Sequence, residues 1–62
     1  MYGKFEELLK EHKVSAYRVA VATGISASTF SDWKAGRSAP KVDKLKLLAD
    51  YFGVAIEYFL EG

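Results

Sequence analysis

Cysteine is absent from this chain, and proline occurs once, at Pro40. The first absence removes disulfides, thiolate nucleophiles and cysteine-based zinc sites. The single histidine, His12, has no neighbouring ligand set, so it reads as a helix-end residue and not as a metal ligand. No apolar run approaches the roughly 20 residues that cross a bilayer. No charged-then-apolar leader opens the chain. A nucleophile with its base, a carboxylate pair in a pocket and a metal set are all missing, so neither an enzyme nor a cofactor is expected. The expected setting is the cytoplasm.

What remains is short and apolar. The chain has 62 residues, half of them apolar and 15% aromatic, which suits one small domain spanning 1–62. Net charge is only +1, yet it is unevenly placed. Lys13, Arg18, Lys34, Arg37, Lys41, Lys44 and Lys46 face only Asp32 and Asp43 across residues 13–46, a local +5. Both ends are acidic. A basic middle between acidic ends suggests a face that meets an anion.

Helical spacing runs throughout. Phe5, Leu8, Leu9 and His12 predict a first helix over residues 3–12. Ser15 can cap a second over 16–23, with Val19 and Ala20 facing in and Gly24 as a left-handed stop. Ser26 can cap a third, ending at Lys34 or Ala35 before Gly36, with Phe30 and Trp33 inward. A loop, "RSAPK", follows. Leu45, Leu48, Ala49 and Phe52 predict a fourth helix over 42–52, stopped by Gly53, and a fifth is expected at about 55–60. The expectation is a compact all-α domain of five short helices.

The second and third helices are joined by only "GIS". So short a joint forces a steep crossing, and Ile25 can pin the corner to the core. This is helix-turn-helix geometry, over about residues 16–35. Ala20 is small enough to let the third helix cross closely above the second.

The stretches "SAYRVAVATGISASTFSDWKAGRSAP", "LKLLADYFGV" and "IEYFL" together resemble the lambda-repressor/Cro-like family over residues 3–61. The ending "EYFLEG" is similar to the end of a phage-type repressor's N-terminal domain, so the chain could be the head of a longer repressor. The resemblance implies a double-stranded DNA operator, a reading helix in the major groove and a homodimer on two half-sites. It places Ala27, Ser28 and Asp32 at base-reading positions and Ser15 and Ser26 at phosphate-touching ones. Arg37 and Lys41 flank the following loop, where the family also touches the backbone. Ser31 can exchange hydrogen bonds with bases beside Ser28, and Lys34 is free to reach a phosphate. Small side chains on this helix permit close approach to the groove. Asp32 can only accept, which suits a cytosine amine.

Departures from the family pattern are specific. Ala16 and Ala27 stand where relatives often carry glutamines, and Ala35 where they carry asparagine. Leu9 and Lys34 replace an Arg–Glu pair, so no buried charge is orphaned. Ala55 replaces a capping serine. Little direct base readout is therefore expected, with a larger share from backbone and shape. The family's two-fold contact maps to Val54, Ile56, Tyr58 and Phe59. A protein-interaction module of the same fold, without DNA, is the alternative reading.

Overall fold

The computed structural model describes residues 2–60. Five helices and no strand occur among them: α1 Tyr2–His12, α2 Ala16–Thr23, α3 Ala27–Ala35, α4 Val42–Phe52 and α5 Glu57–Leu60. The expected all-α, five-helix architecture is present. The last two positions of the predicted "EYFLEG" ending, Glu61 and Gly62, lie outside the described residues.

Three of the joints are set by local chemistry. Gly24, Gly36 and Gly53 adopt φ of +80°, +79° and +72°, the left-handed conformation that side chains resist. Each donates its N–H back into the helix that it ends. The α1 end is different. Lys13 takes φ +56° without being glycine, and its turn closes through Val14 N–H donating to the Leu9 carbonyl at 3.1 Å.

The core gathers one face of every helix. Phe5, Leu8, Val19, Ile25, Phe30, Trp33, Leu45, Leu48 and Phe59 are all at most 5% exposed. Phe5 is the hub: its ring stacks on Phe30 at 4.9 Å and on Trp33 at 5.3 Å, and meets Phe52 edge-on at 6.1 Å. Tyr2 adds an edge contact to Trp33, which extends α1 one residue before the expected start. Pro40 is also buried, so the loop after α3 is anchored inward. His12 sits exposed at the α1 end, its ring edge-on to Phe52 at 5.0 Å.

The fifth helix is shorter than expected. Ala55 and Ile56 lie in the turn before it, and the helix begins at Glu57. Its first bonds are tight three-residue closures, Tyr58 N–H to the Ala55 carbonyl and Phe59 N–H to the Ile56 carbonyl, both 3.0 Å. Alanine at 55 has no side-chain oxygen to satisfy the first turn, and Phe59 anchors the segment from inside instead.

Candidate nucleic-acid interface

Three hydroxyls set the two helices of the helix-turn-helix. Ser15 Oγ accepts the Arg18 N–H at 3.1 Å and starts α2. Ser26 Oγ accepts the Ser28 N–H at 3.2 Å and starts α3. Between them Thr23 Oγ1 donates to the Val19 carbonyl at 2.7 Å and accepts the Ile25 N–H at 3.3 Å. Thr23 thus bridges the turn that Ile25 anchors. A threonine followed by Gly-Ile does signal a hydroxyl at a helix end, but spacing alone assigns it no partner.

The outward face of α3 carries small groups. Ala27, Ser28 and Ser31 are exposed, and Asp32 is half-buried. Phe30 and Trp33 occupy the opposite, buried face. Ser28 Oγ lies 2.8 Å from Ser26 Oγ. One hydroxyl proton is shared inside that pair and one is left to donate outward. The cap serines keep donors too: Ser15 uses its oxygen as an acceptor, so its own proton remains free.

A shallow cleft of about 290 Å³ opens between α2 and α3. Ala16 and Tyr17 line one side, and Ala27, Ser31 and Lys34 the other. Alanine at both 16 and 27 leaves room there that longer side chains would fill. Lys34, one turn after Ser31, lines the same cleft.

All seven cations of the basic segment are exposed. Among the described residues only Arg37 is in a salt bridge: its Nη2 lies 2.9 Å from Asp32 Oδ1, and its Nε donates to the same oxygen at 3.0 Å. Neither Lys34 nor Arg18 pairs with Asp32. The pair spans five residues across a left-handed glycine, a spacing that helical periodicity does not flag. Lys41 is the exposed N-cap of α4 and makes no side-chain cap bond, so its ammonium is unengaged there.

The residues considered for a two-fold contact divide in two. Phe59 is 1% exposed and packs 6.4 Å from Trp33, so it is a core residue and is withdrawn from that surface. Val54, Ile56 and Tyr58 are half-buried, and Leu60 beside them is exposed. The Tyr58 hydroxyl has one proton, shared between the Lys4 carbonyl at 3.4 Å and Glu7 Oε2 at 3.5 Å, with Lys4 Nζ 5.0 Å from the ring. Desolvation, then the charges of Glu7 and Glu11, push its phenol above the usual tyrosine range. A second apolar strip, missed as a strip in the sequence, lies on the outer face of α2, where Tyr17 and Val21 are exposed one turn apart.

A helix-turn-helix family profile matches residues 5–59, a range that contains the corner between α2 and α3. The chain belongs to the helix-turn-helix family. This is a family of DNA-binding domains and not of enzymes. The helix-turn-helix domain is also similar to an uncharacterized HTH-type transcriptional regulator, YobD, of Bacillus subtilis (strain 168). The two are 32% identical over 57 residues, covering 92% of this chain and 51% of the relative. The chain thus spans about half the length of that relative. No solved structure matches it. No helix of the described helix-turn-helix domain is long and apolar enough to cross a membrane.

Proposed function

We propose that this domain reads double-stranded DNA sequence-specifically, as the DNA-contacting part of a cytoplasmic transcriptional regulator of repressor type. The carrying observation is the exposed face of small side chains on α3, backed by an aromatic core, in a chain that matches the helix-turn-helix family. In this reading α3 enters the major groove and presents Ala27, Ser28, Ser31 and Asp32 to base edges. Ser15, Ser26, Lys34, Arg37 and Lys41 hold phosphates on either side. Two copies meet through Val54, Ile56 and Tyr58. That patch is small, so DNA brings the copies together more than the patch does. The relative's name as a transcriptional regulator supports the regulatory role.

One observation favours a second reading. Tyr17 and Val21 expose an apolar strip on α2 that a protein partner could cover.

Selection from a random duplex pool, at low and at physiological salt, tests the first reading. The expected product is a palindrome with half-site centres about one helical turn, or ~10 base pairs, apart. Binding that vanishes with salt and enriches no sequence, even for a forced dimer, would favour the protein-partner reading. Ser28→Phe should abolish binding while the far-ultraviolet dichroism is retained. Lys41→Ala should weaken all duplexes alike and flatten the salt slope by about 1.

A further inference from the structure

Arg37 is tied to Asp32 twice. Its backbone N–H donates to the Asp32 carbonyl at 2.9 Å, just after Gly36 has turned the chain out of α3. Its guanidinium then returns to the same residue, placing Nε at 3.0 Å and Nη2 at 2.9 Å from Oδ1. A guanidinium has a side edge, formed by Nε and one Nη, and a terminal edge, formed by both Nη groups. The ion pair occupies the side edge. The terminal edge keeps two parallel N–H bonds, the arrangement that holds a phosphate bidentately.

The exposure of the pair argues against a role in folding. The Arg37 and Asp32 side chains are 65% and 41% exposed, and pairs so wetted add little to stability. Its effect belongs at the surface where the partner arrives. A carboxylate on a DNA-facing helix would by itself repel phosphate. With Arg37 bound to one oxygen, that charge is neutralised, while Oδ2 remains to accept from a cytosine amine.

We infer that Asp32 is the positioning residue for Arg37, presenting the terminal edge of its guanidinium to a DNA phosphate. Base readout at Asp32 and the phosphate grip at Arg37 then form one coupled unit. The inference rests on the DNA-reading assignment above and deepens it. Ordering the arginine before the encounter removes part of the rotamer entropy that binding would otherwise cost.

A double-mutant cycle on the enriched duplex tests it, with Asp32→Ala, Arg37→Ala, Arg37→Lys and the combinations. Asp32→Ala should weaken binding about two- to fivefold although it removes a negative charge. In either Arg37 background the same change should weaken binding distinctly less than in the parent, leaving only the lost base contact. Arg37→Lys should keep the salt slope yet lose the coupling, because an ammonium has no second edge. Thermal melts should place every variant near the parent. Additive effects, or tighter binding by Asp32→Ala in the parent background, would overturn the inference and make Asp32 a competitor for Arg37. An unaffected salt slope in Arg37→Ala would overturn it as well, by removing Arg37 from the DNA. Failure of the parent domain to bind any duplex would instead sink the DNA-reading assignment itself.

Discussion

The α2–α3 corner and the α4–α5 closure are both helix pairs joined across a left-handed glycine, yet they are held by different means. In the first pair α2 and α3 each begin on a serine hydroxyl, and Thr23 bonds to both sides of the turn between them. At the closure α4 starts on Lys41 with no side-chain cap, and the turn before α5 has Ala55, which offers none. The closure relies on long-range burial of Phe59 and on Tyr58 reaching back to Lys4 and Glu7 on α1. The part that presents the reading helix is locally determined. The part that seals the core is determined by tertiary contact.

Removing the tertiary anchor should have the largest effect. Phe59→Ala is expected to cost about 3–5 kcal/mol, a large share of a small domain's stability, and to lower the thermal midpoint sharply. A midpoint near the parent's would mean that α5 does not seal the core. Next come the two glycines that end α2 and α3. A Cβ at Gly24 or Gly36 meets nothing within 4 Å, so the cost of Gly24→Ala or Gly36→Ala is conformational alone. About 1–2 kcal/mol each is expected in urea titrations; a loss below a few tenths would show that the turns tolerate side chains. The smallest effect should sharpen the contrast from the other side. Ala55→Ser gives α5 the kind of cap that α2 has, and should raise stability by about 0.5–1 kcal/mol, visible as a higher melting midpoint. No gain would indicate that the tight three-residue turn there cannot use a side-chain cap.

That contrast also explains what could be read in advance. Serine before a helix and glycine after it act over three or four residues, so Ser15, Gly24, Ser26, Gly36 and Gly53 mark their boundaries directly. The stripe of Leu45, Leu48, Ala49 and Phe52 is equally plain, since one period describes it. The start of α5 depends on where Phe59 finds the core, which no local pattern encodes. Phe59 was for the same reason assignable to a surface contact until its burial was seen. Lys13 at φ +56° has no sequence signature, because that position is commonly signalled by glycine or asparagine. In the candidate interface the face of Ala27, Ser28 and Ser31 was visible from helical phase. The Asp32–Arg37 pair was not, because Gly36 breaks the phase between its members.

Trp33 is the sole tryptophan of the chain, and it stands on the buried side of α3 beside Phe5 and Tyr2. The helix that faces outward with serines thus carries a fluorophore on its inner side, 5% exposed. Its emission reports the packing of that helix and has no direct line to a bound duplex. A titration with DNA that leaves the emission blue describes rigid docking, and a red shift at any step marks α3 lifting from the core. One optical signal can therefore follow folding while a labelled duplex follows binding, in the same cuvette.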